Sequence, residues 1–182
     1  MIKGRTIKFG DNVDTDQIIP AQYLSLSTIQ QIATHTFEFY GNFANDFKPG
    51  DMISGNDNFG CGSSREQAPA VLKERGVSAV IARSFARIFY RNAINIGLLL
   101  VECEKADEIR QGDVLEIDTQ KGVIRNITSD SNLEITPLPA FMQDILNCGG
   151  IVKYIDNRRG DHDGLECRDR TQLAIIAQKN MT

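Results

Sequence analysis

The apolar positions of this chain change their period several times, and each change marks an element. Residues 3–9 have strand character, and Asp11-Asn12-Val13-Asp14-Thr15-Asp16 is a run of turn formers. A helix is expected over 29–39, introduced by Ser27 or Thr28 as its N-cap. Pro49-Gly50-Asp51 makes a turn into a short strand at 52–54. A second helix is expected from Ser64 to about Arg75, closed by Gly76 as a left-handed residue. Residues 77–82 read as a buried strand. Ser84 then caps a helix in which Phe85, Ile88, Phe89 and Asn92 recur at helical spacing as far as Gly97, and 98–102 is a further strand.

Alternation of strand and helix between 52 and 102 predicts a parallel α/β core. The later part differs, with short strands at 114–117, 123–127 and 133–136 separated by Gly, Asn and Asp turns. A helix over 139–148 stops at Gly149-Gly150, and 151–155 reads as a last strand. The expected class is therefore α/β, one domain over 1–155 with a mixed, partly parallel sheet. From Asp156 the chain turns polar and rich in breakers, so 156–182 reads as a linker and tail. Within that tail, Arg170 to Lys179 has the pattern of a short amphipathic helix packed on its own domain.

Composition narrows the function. A chain of 182 residues with 41% hydrophobic content can bury one good core. Its longest apolar run, Ile96 to Val101, is far too short to span a bilayer, and the first residues lack the apolar stretch of a secretory signal, so a cytoplasmic location is expected. A net charge of −4 and a pI near 5.2 argue against nucleic acid. An anionic substrate would have to be drawn in locally. Cys61, Cys103, Cys148 and Cys167 are scattered and read as reduced thiols, without the spacing of a zinc site or a complete iron–sulfur site. His35 and His162 lie in no motif.

The chemistry concentrates in Asp57-Asn58-Phe59-Gly60-Cys61-Gly62-Ser63-Ser64-Arg65-Glu66. Gly60 and Gly62 permit positive φ and a tight turn. Amides exposed by such a turn at a helix start bind anions, and a guanidinium beside them grips a carboxylate with two parallel hydrogen bonds. The segment thus reads as a pocket for a small carboxylic acid, with hydroxyls placed for proton transfer. Ser63-x-x-Glu66 is equally a capping box, with Ser64 as an alternative cap, and both roles stay open at this point. A serine hydrolase would need a histidine near the motif, and none is there. Cys61 lacks a base to make it a nucleophile. Arg83, Arg87 and Arg91, four apart, read as surface cations on one helix face; Asp14 and Asp16 read as turn and cap residues.

Two further segments flank this one: Gly10-Asp11-Asn12-Val13-Asp14-Thr15-Asp16-Gln17-Ile18-Ile19-Pro20-Ala21 before it, and Ala82-Arg83-Ser84-Phe85-Ala86-Arg87-Ile88-Phe89 after it. The ordered set resembles the small-subunit family of 3-isopropylmalate dehydratases, separately encoded counterparts of the swivelling C-terminal domain of aconitase. The resemblance runs from about Gly4 to Ile155. It implies an aconitase C-terminal-domain-like swivelling fold. The implied activity is a hydro-lyase that moves water between two positions of isopropylmalate in leucine biosynthesis. A [4Fe–4S] cluster would be carried by a partner large subunit, in a heterodimer or larger assembly, and none by this chain alone. Ser63 takes the place of the base, and Ser64 and Arg65 those of the carboxylate anchors, with Gly60, Gly62 and Asp16 in support. Ser25 and Leu26 fall in the specificity segment, where relatives acting on homoaconitate tend to carry Arg; Leu26 suits a branched alkyl group. Homoaconitate, dimethylmalate or another alkylmalate remain alternative substrates, and a non-catalytic carboxylate-binding regulatory subunit an alternative role. Gln67 stands where the family commonly has His.

Overall fold

The first strand changes partner halfway along its length, and the rest of the architecture follows from that. In a computed structural model describing residues 1–41 and 43–159, β1 is Ile2–Lys8. Its first half, Ile2 to Arg5, pairs antiparallel with β5 (Val114–Asp118). Its second half, Thr6 to Lys8, pairs parallel with β2 (Met52–Ser54). Gly4 is needed where the chain crosses: a Cβ there would lie 2.3 Å from the Gly50 carbonyl oxygen.

On one side of β1 the parallel strands continue through β2 to β3 (Val80–Ala82) and β4 (Leu100–Glu102). On the other, an antiparallel meander adds β6 (Val123–Asn126) and β7 (Ser131–Glu134) to β5. The parallel strands are buried on both faces, as crossover helices require. Ile53, Val80, Ala82 and Leu100 pack with Ile32 and Ala33 of α2 (Ile29–Ala33), Val71 and Leu72 of α4 (Gln67–Glu74), and Phe89 and Ala93 of α5 (Arg87–Ile96). The alternate residues Met52, Ile81 and Val101 pack with Leu115, Ile117, Ile124 and Leu133 of the meander. Two short helices, α1 (Thr15–Ile18) and α3 (Phe43–Asp46), complete this half, and α6 (Ala140–Asn147) and α7 (Ile151–Arg159) follow the meander.

Several boundaries depart from the pattern in the sequence. Helix α2 is capped by Thr28 as expected but ends at Ala33, because Phe37 takes φ 53°. There its amide donates to the Ile18 carbonyl at 2.9 Å and its ring stacks on Phe9 at 4.3 Å. Helix α4 opens at Gln67, not Ser64, and Glu66 at its N-cap makes no side-chain capping bond. Helix α5 opens at Arg87 after Ala86; Ser84 does not cap it but accepts from the Asn58 amide at 2.8 Å. Residues 151–155 are helical, not a strand. Gly149 and Gly150 press against the end of α5 (a Cβ on Gly97 would sit 2.5 Å from the Gly149 carbonyl carbon), which sets α7 against α5 and α6. The expected boundary at 155 therefore falls inside α7, and the tail helix at 170–179 lies outside the described residues. Among the described residues no helix is long and apolar enough to cross a membrane.

Candidate active site

The three motif segments are the loops that leave the carboxyl ends of β1, β2 and β3, the edge where open parallel sheets bind ligands. They are laced to one another by backbone hydrogen bonds. From the β1 loop, Asn12 donates to the Asp57 carbonyl at 2.8 Å and Thr15 to the Cys61 carbonyl at 2.8 Å, while Gly60 donates back to Val13 at 2.7 Å. From the β3 loop, Arg83 donates to Asn56 and Ala86 to Phe59, both at 2.9 Å, and Phe59 donates to Ser84 at 3.0 Å. Phe59, fully buried, is the pin on which the β2 loop turns.

The two glycines are required by contact as well as by conformation. Gly60 has φ 79°, and a Cβ on it would stand 2.2 Å from Cγ of Phe89. Gly62 has φ 89°, and a Cβ would meet the Asp14 carboxylate at 2.2 Å. Asp14 in turn caps α1, accepting from the Asp16 amide at 2.6 Å in a capping box with Gln17. Asp14 is thus the cap residue its turn suggested, whereas the capping box expected at Ser63-x-x-Glu66 does not form, because α4 starts only at Gln67.

Ser63 is exposed, and its hydroxyl has no hydrogen-bond partner among the described residues, while its carbonyl is held by the Arg65 amide at 2.8 Å and the Thr15 hydroxyl at 3.0 Å. Arg65 is mostly covered: its Nη1 donates to the Asp16 carboxylate and to the Ile19 carbonyl, the latter at 3.1 Å. A pocket of about 290 Å³ is lined by Thr15, Gly60, Gly62, Ser63 and Arg65 together with residues 86–89. The helix start that opens on it is that of α5, where the sequence pointed to α4.

Ser63, Arg65, Gly60, Gly62 and Asp16 are therefore brought together. Ser64 is exposed beside them without lining the pocket. Ser25 and Leu26 end the 3₁₀ turn after Ile19-Pro20; both are exposed and neither lines the pocket. Arg83 is not on a helix face. It sits in the β3 loop and pairs with Asp57 at 2.6 Å, bracing the start of the β2 loop. Arg87 and Arg91 are exposed on α5. Thr15 and Ile88 had no site role in the sequence, although both stood inside the flanking segments. Ile88, at helical spacing with Phe89 and Asn92, is exposed where those two are buried, and both Thr15 and Ile88 line the pocket once the loops meet.

Burial, and next the nearby Asp14 carboxylate, push the Cys61 thiol above its ordinary pKa, which keeps it protonated and a poor nucleophile. Cys61 and Cys103 are free thiols; Cys148 is disulfide-bonded, against the reading of reduced cysteines, and Cys167 and His162 lie outside the described residues. His35 stacks on Tyr23 at 3.6 Å and pairs with Glu38, a surface role. Among the described residues no group of three or more His, Cys, Asp or Glu side chains could hold a metal ion.

A serine and an arginine on a glycine turn, at the carboxyl edge of a mixed sheet whose antiparallel part covers its back, define the class of aconitase C-terminal domains, and that family matches residues 27–106. The relatives are more particular. The chain is 50% identical over 157 residues to the 3-isopropylmalate dehydratase small subunit 1 of Archaeoglobus fulgidus, covering 86% of this chain and 98% of that one. It is 51% identical to the 3-isopropylmalate dehydratase small subunit of Caldicellulosiruptor saccharolyticus, covering 85% and 91%. The crystal structure of 3-isopropylmalate dehydratase from Methanocaldococcus jannaschii superposes with a TM-score of 0.82 at 46% identity, over 87% of this chain and 95% of that one. The chain belongs to the family of 3-isopropylmalate dehydratase small subunits.

Proposed function

We propose that this chain supplies the base and a carboxylate anchor of a 3-isopropylmalate dehydratase, a cytoplasmic hydro-lyase of leucine biosynthesis that is active only with its large subunit. The observation that carries the reading is the convergence of Ser63 and Arg65 on one pocket, in a chain half identical to proteins of that name. In the reaction a 2-hydroxy dicarboxylic acid loses water and regains it in the neighbouring position. The [4Fe–4S] cluster of the large subunit, when bound there, supplies the Lewis acid for the departing hydroxyl.

Ser63 takes the proton from carbon and returns it during rehydration. An alkoxide is costly in water, so the positive Arg65 and the loop amides stabilise it as an oxyanion hole would. Nη1 of Arg65 is committed to Asp16 and Ile19, which fixes the plane of the guanidinium. Its remaining N–H groups take a substrate carboxylate, with Ser64 contributing from the rim. The Ile19 contact also ties Arg65 to the chain leading into the segment that carries Ser25 and Leu26, which lies outside the pocket.

The test is reconstitution with the large subunit. The wild-type pair should turn over isopropylmalate, and Ser63→Ala should lower the rate roughly 10²–10⁴-fold. Its melting temperature should stay near wild type, because α4 starts at Gln67 and takes no cap from Ser63. Near-normal turnover by the variant would remove the serine from the mechanism. Full activity of the large subunit alone would leave this chain a regulatory role.

A further inference from the structure

We propose that Lys8, at the carboxyl end of β1, is a positioning residue whose ammonium gathers the strand ends around the Ser63 loop and so sets where that serine stands. This rests on the dehydratase reading and extends it to a side chain outside the pocket. Nζ of Lys8 donates to the Ala106 carbonyl at 2.6 Å, to the Asn56 side-chain oxygen at 2.8 Å and to the Ser54 hydroxyl at 3.3 Å. An ammonium has three donors, and all three are used. Ser54 ends β2, Asn56 opens the loop that carries Ser63, and Ala106 begins the 3₁₀ turn after β4. One side chain thus ties β1 to the ends of two other parallel strands. The backbone of Asn56 is already fixed, its amide donating to Gly10 at 3.1 Å and its carbonyl accepting from Arg83 at 2.9 Å. Lys8 completes the fastening of the residue from which the loop departs.

None of the three acceptors is a carboxylate, and the ammonium is held partly out of water at a cost. Burial, more than any other influence, pulls its pKa below the ordinary 10.5; Arg83 acts in the same direction, and Asp107, Asp11 and Cys103 offset only part of it. A neutral side chain would fill the space more cheaply, so what the ammonium adds is the direction of three hydrogen bonds. Lys73 supplies the contrast. Its ammonium also meets carbonyls, those of Ile96 and Gly149, but on the side where the chain enters β4, away from the motif loops. Arg65 is held independently by Asp16 and Ile19, so loosening Lys8 should displace the base more than the carboxylate anchor.

The experiment uses the complete two-subunit enzyme with 2-isopropylmalate. Lys8→Met should lower kcat roughly 10- to 100-fold, the effect of a small misplacement of a reacting group, while KM stays near wild type. Lys73→Met should lower the melting temperature and leave kcat alone. Asn56→Ala should reproduce part of the kcat loss, and the double variant should lose no more than Lys8→Met by itself, because both remove one bond. In the full chain without its partner, exchange of the Gly60 and Thr15 amides, which lace the loop, should quicken in Lys8→Met and not in Lys73→Met. Wild-type kcat in Lys8→Met would overturn the proposal. So would a loss confined to KM, an equal kcat loss in Lys73→Met, or additive losses with Asn56→Ala. A wild-type complex inactive on isopropylmalate would instead sink the dehydratase reading, and unchanged amide exchange would then overturn the role of Lys8 on its own.

Discussion

The two halves of the sheet close their connections in opposite ways. In the antiparallel half the turns are satisfied by their own neighbours. Asp118 accepts from the amides of Gln120 and Lys121 at 3.1 and 2.9 Å, and Asn126 from those of Thr128 and Ser129 at 3.0 and 3.2 Å. In the parallel half the loops are satisfied by one another across some 46 residues of chain, as Asn58 to Asn12 and Arg65 to Asp16 or Ile19 illustrate. Parallel strands cannot be joined by hairpins, so their loops are longer and all leave from one edge. That edge collects side chains from distant segments, and chemistry can be assembled there. The meander is closed by local turns, and its inner residues cover the back of the parallel sheet.

This contrast can be broken from either side. The largest stability effect should come from the meander. Leu115→Ala, at a fully buried position between the two layers, should cost about 2–5 kcal/mol in urea unfolding. The folded fraction should nevertheless keep wild-type turnover in the reconstituted enzyme, and a large fall in kcat would show that the back layer shapes the site directly.

Gly60→Ala should do the reverse. It forces alanine to φ 79° against the Phe89 ring, a strain of roughly 1–3 kcal/mol. Activity should fall by more than the stability loss accounts for, because Cys61 to Arg65 would shift with the loop. Parallel losses of activity and stability would sink that expectation.

The smallest effect sharpens the local side of the comparison. The Lys121 amide, more than any other group, holds the Asp118 carboxyl below its ordinary value of 3.8. A depressed carboxylate contributes stability above that ordinary value, and the contribution is lost as pH falls through the lower, folded-state value. Asp118→Asn should therefore flatten the acid limb of the melting curve slightly and leave the neutral range and the activity alone. A variant whose acid limb overlays wild type would show that the turn draws nothing from the charge.

The sequence determined by itself whatever depends on neighbours within a few positions. The strand at 52–54, the turn before it, the glycines that end α4 and α5 (Gly76 and Gly97) and the helix stopped by Gly149-Gly150 all lie where their residues put them. The three segments on which the family resemblance rests were legible too, because each is a short contiguous run. The tertiary structure decided where α2 stops and where α4 and α5 start, because Phe37, Ser63 and Ser84 exchange local bonds for partners on other segments. It also made 151–155 a helix, since the paired glycines against α5 set those residues beside two helices rather than a sheet edge. Above all it chose which side chains share the pocket, bringing in Thr15 and Ile88 and leaving Leu26 outside. Propensity and periodicity act over one or two turns of chain, whereas a site made of three loops is set by hydrogen bonds and ring packing between residues that only the folded sheet brings together.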